Sequence, residues 1–155
     1  MPATAYLLGV TDEHSRWLDL VSEMHAFVWE EAPLHEITLG TVDHLGADRK
    51  VVHGPWSAEE CQAVLIPWHV AGWIELVADF EPPWSLTPAD WQGRASRDGA
   101  FMVLSSEDAT ALLSNPGRWA LGTADGHAML CRTDEGEAHE YPEWLGLAEK
   151  GRARG

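Results

Sequence analysis

The strongest constraint on the fold lies in residues 57–72, SAEECQAVLIPWHVAG, which contain signals for both ends of one helix. Ser57 and Glu60 have the spacing of a capping box, in which each side chain accepts a hydrogen bond from the other residue's amide. Apolar residues recur at helical spacing, and Gly72 is placed to end the helix in a left-handed conformation. Pro67 is expected to kink this helix or to end its regular part. The WIELV segment that follows is predicted to be a strand.

Two further helical patterns precede this segment. Between residues 12 and 32, apolar side chains recur at the spacing of an amphipathic helix, and Pro33 ends the pattern. Residues 36–45, EITLGTVDHL, carry a weaker helical pattern in which Gly40 is unfavourable. The first ten residues, MPATAYLLGV, are expected to form a short strand or a docked arm.

The second half of the chain alternates strand and helix signals. AFMVL at 100–104 is a strand candidate, and a compact helix follows it, capped by Ser105. Residues 118–136, RWALGTADGHAMLCRTDEG, read as a β-hairpin that turns around Asp125 and Gly126. One more short helix is predicted in residues 137–150. Residues 79–99 are rich in proline, glycine and polar groups, which predicts a long connection with a short helical turn at Thr87 and Pro88.

The order of these elements resembles a winged-helix domain, with the resemblance carried by residues 63–76 and 119–136. It implies that the third helix would enter a DNA major groove and that the hairpin would be the wing. We therefore predict an α+β fold with a helical N-terminal layer, short strands and a C-terminal β-hairpin. A chain of 155 residues suits one domain, placed at residues 1–149, with a basic, disordered tail at 150–155.

The charge of the chain argues against nucleic acid as a partner. The net charge is −15, and the last six residues, KGRARG, hold three of the ten basic side chains. A recognition helix needs side chains such as Arg or Lys for base edges and phosphates, but residues 57–72 contain neither. A winged-helix transcriptional regulator that contacts DNA through a dimer or through the basic tail is kept as an alternative function.

No sequence motif announces catalysis or metal binding. The segment HEITL at 35–39 begins like a zinc-protease helix but lacks the second histidine of that motif. The chain has no nucleophile elbow, P-loop or dinucleotide glycine pattern, and Cys61 is expected to be buried and inert. We therefore expect no catalytic residue, metal or cofactor, and a protein that is not an enzyme. Two unpaired cysteines and the lack of a leader or an 18-residue apolar run indicate a cytoplasmic protein without a membrane partner.

The nine tryptophans are the remaining functional signal. Four of them are candidates for an aromatic surface or pocket: Trp68, Trp73, Trp84 and Trp91. Together with the acidity, they favour a small protein-binding module whose partner is basic, such as an immunity or antitoxin-like neutraliser. A small-ligand-binding protein or enzyme with a tryptophan-lined pocket is a further alternative. The oligomeric state is left open.

Overall fold

The computed structural model describes residues 2–79, 93–95, 101–123 and 125–154. These residues contain five helices: α1 (Pro2–Glu30), α2 (Ala58–Val70), α3 (Ser106–Leu113), α4 (Asp134–Glu137) and α5 (Tyr141–Arg154). They also contain six strands: β1 (Thr41–His44), β2 (Lys50–His53), β3 (Ile74–Asp79), β4 (Gly93–Ala95), β5 (Phe101–Leu104) and β6 (Met129–Arg132). The predicted α+β class is confirmed.

The strands form two separate antiparallel sheets. The larger sheet has the strand order β4-β5-β3-β6, so the WIELV strand predicted from the sequence occupies an interior position. Val77 of β3 pairs with Val103 of β5, and Leu76 pairs with Leu130 of β6. The smaller sheet is the hairpin of β1 and β2, in which Thr41 pairs with His53. The hairpin therefore stands apart from the four-stranded sheet.

Helix α2 forms where its end signals predict. The Ser57 hydroxyl accepts a hydrogen bond from the Glu60 amide at 3.1 Å, and the Glu60 carboxylate accepts one from the Ser57 amide at 3.0 Å. Gly72 has a φ of +80°, which closes the helix as expected. The expectation that Pro67 ends the regular helix is wrong, because α2 continues to Val70. The ring of Pro67 instead forms part of the contact with α5.

The hydrophobic core is built around α2, which contacts α1, α3, α5 and β3. The indole of Trp68 is fully buried, and its Nε1 donates to the carbonyl oxygen of Trp144 at 2.9 Å. The two rings meet edge to face, with centroids 4.9 Å apart. This contact joins α2 to α5, although 76 residues separate the two tryptophans.

The N-terminal region differs from the prediction in two ways. Helix α1 begins at Pro2, so the first residues extend the helix instead of forming a strand or an arm. The predicted helix at residues 36–45 is wrong, because a 3₁₀ turn over Leu34–Glu36 leads into β1. Gly40 explains the change: its φ is +80°, and a Cβ there would lie 2.5 Å from the His53 carbonyl oxygen. Only glycine permits this close approach of the two strands.

The predicted C-terminal hairpin at residues 118–136 is also wrong. Short 3₁₀ turns over Pro116–Trp119 and Asp125–His127 replace its first half, and β6 pairs with β3. Trp119 is buried, and its Nε1 donates to the Leu112 carbonyl oxygen at 2.8 Å, which holds this segment against α3. The described residues therefore contain a hairpin at 41–53 and no wing after α3.

The last residues are helical where a disordered tail was expected. Helix α5 continues to Arg154, and Gly151 lies so close to α2 that a Cβ would be 2.3 Å from Cγ of Pro67. The Arg152 guanidinium lies over the ring of Trp17, 4.5 Å from its centroid. Most of the long connection predicted at 79–99, including Thr87 and Pro88, lies outside the described residues; within it, β4 pairs with β5.

The contact between Gly151 and Pro67 predicts that a Gly→Ala substitution changes stability in the direction opposite to the one that helix propensity predicts. A Gly→Ala change inside a helix ordinarily stabilises it by up to about 1 kcal/mol. We expect Gly151→Ala to lower the free energy of unfolding instead, by roughly 1–3 kcal/mol, because the new methyl group meets the proline ring. Urea denaturation followed by tryptophan fluorescence measures the change.

Gly146 in the same helix supplies the matched control. A Cβ at Gly146 would meet nothing within 4 Å, so Gly146→Ala is expected to stabilise the protein slightly. Equal stabilisation by both substitutions would contradict a tight α2–α5 contact.

Candidate functional site

Two of the four tryptophans that the sequence singled out, Trp68 and Trp73, lie in the described part of the chain. Trp68 is fully buried in the core, so it does not form part of a surface. Trp73 is half-buried and stacks on the His139 ring, with centroids 4.0 Å apart and planes 15° from parallel. Trp84 and Trp91 lie outside the described residues. Trp68 and Trp73 do come together, but around the edge of Trp144 and as part of the packing.

His25 belongs to the group of aromatic rings that pack around Trp144. The His25 ring lies 4.3 Å from Trp29 and 4.9 Å from Tyr141, measured between centroids. Burial among these rings lowers the pKa of His25, because the charged form loses solvation. His25 is therefore a neutral packing residue near neutral pH. Nothing in these contacts leaves room for a ligand between the rings.

A cleft of about 420 Å³ opens where the end of α2, the strands β3 and β5 and the start of α3 meet. Neither Trp68 nor Trp73 lines it. Two of its hydroxyls already serve the fold: Ser105 caps α3 by accepting from the Asp108 amide, and Thr133 donates to the Gly72 carbonyl oxygen at 2.6 Å. Burial lowers the pKa of His69 at this cleft, which favours the neutral imidazole. The cleft thus offers apolar walls and polar groups that the fold uses.

Three of the described arginines are paired with carboxylates at 2.8–2.9 Å: Arg16 with Glu60, Arg118 with Asp125, and Arg132 with Glu137. Helix α2, which the winged-helix resemblance placed in a DNA groove, is packed by neighbouring elements instead. Helix α2 also contains neither lysine nor arginine, so it presents neither of these basic side chains to a groove.

Among the described residues, exposed apolar side chains are concentrated on and next to the hairpin. Five of the eight large exposed hydrophobic residues in the described part of the chain fall between positions 39 and 52: Leu39, Val42, Leu45, Val51 and Val52, which are 40–67% exposed. Single exposed hydrophobic residues are ordinary on a protein surface, but a contiguous group marks an interaction site. We call these five residues the hairpin patch.

The two faces of the hairpin differ in chemistry. Side chains alternate along a strand, so Thr41 and His53 share the inner face, which is turned toward α1. Val42 and Val52 are direct cross-strand partners on the opposite, outer face, and about half of each side chain is exposed. The inner face is attached to α1 by polar side chains and also carries Val51, the partner of Asp43. The outer face is open and carries Val42 and Val52 beside the polar pair His44 and Lys50.

His53 attaches the hairpin to α1. Its Nδ1 lies 2.7 Å from a carboxylate oxygen of Asp19, and its Nε2 lies 2.8 Å from one of Asp43. An ionised carboxylate only accepts hydrogen bonds, and the ring can donate from both nitrogens only when it is protonated, so this geometry favours the imidazolium form. Thr41 adds a second link to α1 by donating to the Glu23 carboxylate.

The pKa of His53 follows from these contacts. Partial burial of the ring lowers the pKa, but the hydrogen bonds with Asp19 and Asp43 outweigh burial and raise it above its ordinary value. The negative charges of Asp19 and Glu23 act in the same direction. The imidazolium therefore joins acidic groups of α1 and β1 that would otherwise repel each other.

Sequence reasoning missed the hairpin and its attachment. Two sequence signals could have found the hairpin: the adjacent β-branched residues Val51 and Val52, and the turn-forming LGAD segment between the strands. No local signal could have found the attachment, because Asp19 and His53 are 34 residues apart. Only the folded chain brings them together.

No family model, curated protein sequence or solved structure matches this chain. In the described ranges, none of the helices combines the length and apolar character needed to cross a membrane. The same residues include no cluster of three or more His, Cys, Asp or Glu side chains that could hold a metal ion.

The geometry of His53 predicts how the stability of the protein depends on pH. Because the pKa of His53 is raised in the folded state, its contribution is complete below the unfolded pKa of roughly 6.5 and is lost as the pH rises through the folded value. The stability difference between wild type and His53→Gln should therefore be largest at mildly acidic pH and shrink in alkali. Urea denaturation at a series of pH values measures this difference.

His44→Gln is the control, because His44 lies in the same hairpin but on the outer face, where its side chain is exposed. Its stability difference from wild type should stay small at every pH. A difference for His53→Gln that does not change with pH would show that the imidazolium does not hold the hairpin. His25 and His69 have lowered pKa values, which reduce the stability of the protein in acid. Because both are present in wild type and variants, this effect cancels in the stability difference.

Proposed function

We propose that this protein is an acidic binding module that uses the hairpin patch to engage a basic protein partner. The observation that carries the proposal is the exposed cross-strand pair Val42 and Val52 on the outer face of a two-stranded hairpin, with the other exposed hydrophobic residues of the patch on or beside the same hairpin. A hairpin of two strands is marginally stable by itself in water. This one is held to α1 by polar contacts, while its apolar side chains remain uncovered. Such an arrangement favours a surface kept for a partner.

The charge of the chain supports a basic partner. At a net charge of −15, two copies of the protein repel each other, whereas a basic protein is attracted and steered toward the surface. Carboxylates of Asp19, Glu23 and Asp43 lie around the root of the hairpin, next to the patch. An immunity-like or antitoxin-like neutraliser of a basic toxin or nuclease is one role that this combination suits.

The cleft beside α3 gives some support to the alternative of a small-ligand-binding protein. Its volume of about 420 Å³ is in the range of ligand pockets. However, two of its hydroxyls are already bonded within the fold, and Trp68 and Trp73 are absent from its lining. We therefore place the binding role at the hairpin.

The partner can be identified through the patch. A photo-crosslinking amino acid placed at Val52 should capture the partner from cells that express the protein, and mass spectrometry identifies it. The same amino acid at Val70, which is 78% exposed at the end of α2, is the control position. The purified partner should be basic, and its affinity should fall as salt is added.

The double substitution Val42→Thr/Val52→Thr tests the energetic role of the patch. Thr is nearly isosteric with Val and favours strands, so the hairpin should be retained. In the complex the partner would bury one methyl group of each valine that the substitution turns into a hydroxyl. Binding should therefore weaken by about tenfold or more, at about 0.8 kcal/mol for each lost apolar group plus the desolvation of a hydroxyl. Calorimetry with the purified partner measures the dissociation constant.

Val70→Thr makes the same chemical change at another exposed valine and should leave the affinity unchanged. Equal affinities for wild type and the double variant would contradict a role for the hairpin patch. A captured partner that is acidic, or whose binding is insensitive to salt, would contradict the charge argument.

A further inference from the structure

We infer that the partner binds by adding an extended segment, with alternating apolar and basic residues, to the free edge of β1. This inference rests on the proposed function and specifies its binding mode. Within the described residues β1 pairs with β2 alone, so its other edge carries unpaired backbone groups. Such an edge is a template for a further strand.

The hydrogen-bond pattern identifies the groups that point outward. The amide of Leu45 donates to the carbonyl oxygen of Arg49 at 2.9 Å, which marks this pair as a hydrogen-bonded one. Bonded and non-bonded pairs alternate in an antiparallel ladder, so Asp43 and Thr41 direct their backbone groups toward β2. Val42 and His44 direct theirs away from the hairpin. These two residues would pair with an added strand.

The side chains beside this edge define the chemistry of the added segment. On the outer face it would lie next to Val42, part of the hairpin patch, which favours apolar side chains. On the inner face it would lie next to Asp43, close to the acidic groups of α1, which favours Lys or Arg. Successive residues of a strand point to opposite faces, so an alternating sequence satisfies both.

The edge of β2 suits a basic segment less well. Its inner-face residues include His53, which is held as an imidazolium, and its outer-face residues include Lys50. Lys50 would place a charge among the apolar outer-face side chains of an added strand, and protonated His53 would repel its basic inner-face side chains. The charges on the hairpin therefore select β1 over β2 as the docking edge.

Hydrogen exchange of the ¹⁵N-labelled protein, followed by NMR, tests this mode with a defined probe. The probe is an acetylated and amidated octapeptide of alternating valine and lysine. With the peptide at roughly ten times its Kd, exchange of the Val42 and His44 amides should slow about tenfold. The Lys50 and Val52 amides, on the opposite edge, should be unaffected. The Asp43 amide, which faces β2, should be protected with or without peptide.

Two control peptides separate the contribution of charge from that of strand pairing. An alternating valine and glutamate peptide tests the charge requirement and should not bind. A valine and lysine peptide with two valines replaced by proline tests the need for strand pairing and should not slow exchange. Equal binding of the glutamate peptide would overturn the assignment of a basic segment.

The remaining outcomes distinguish this inference from the proposed function. If the valine and lysine peptide shifts the methyl signals of Val42 and Val52 without slowing amide exchange, the patch binds by its side chains and strand addition is overturned. Protection of Lys50 and Val52 in place of Val42 and His44 would overturn the choice of β1. No response in either signal would also overturn the inference, while the captured partner still tests the proposed function separately.

A pair of proline variants provides a second measurement with the captured partner. His44→Pro removes an outward amide of β1 and leaves the bonds between the two strands intact. Lys50→Pro removes an outward amide from the edge of β2 and serves as its control. His44→Pro should weaken binding about tenfold relative to Lys50→Pro, at roughly 1–1.5 kcal/mol for one hydrogen bond. Equal affinities would overturn strand addition at β1.

Discussion

The contact between Trp68 and Trp144 is the interaction on which the rest of the fold depends. A buried indole usually finds a partner for its N–H group, and for Trp68 the Trp144 carbonyl oxygen supplies it at 2.9 Å. This bond sets α5 against α2, and the rings of Trp29 and Trp73 pack edge to face on Trp144. Elements from both ends of the chain are thereby joined in one core, and most of the tryptophan content serves packing.

Helix α1 connects the core to the hairpin at the surface. One of its sides buries Val21, Met24 and Val28 in the core, and another carries Asp19 and Glu23 to the root of the hairpin. Polar bonds to α1 therefore attach the hairpin, while Val42 and Val52 on its outer face remain exposed.

Acidity and the hairpin patch have different physical roles in the proposed interaction. The net charge acts at long range and governs which molecules approach, but salt screens it. The patch acts at contact, where loss of apolar surface to water supplies affinity. Asp19 and Asp43 contribute to both roles. They hold His53, which attaches the hairpin, and they add to the negative charge around it.

The sequence by itself determined the elements whose signals are local. The capping box at Ser57, the Ser105 cap and the strand before it are confirmed, because both partners of each cap lie within one turn. Tertiary structure decided residues 36–45 and 118–136, where a helix and a hairpin were expected. At the first, Gly40 allows contact with His53; at the second, burial of Trp119 overrides hairpin pairing. The attachment of His53 to Asp19 was equally beyond the sequence, because a hydrogen bond between residues 34 positions apart depends on how the whole chain packs.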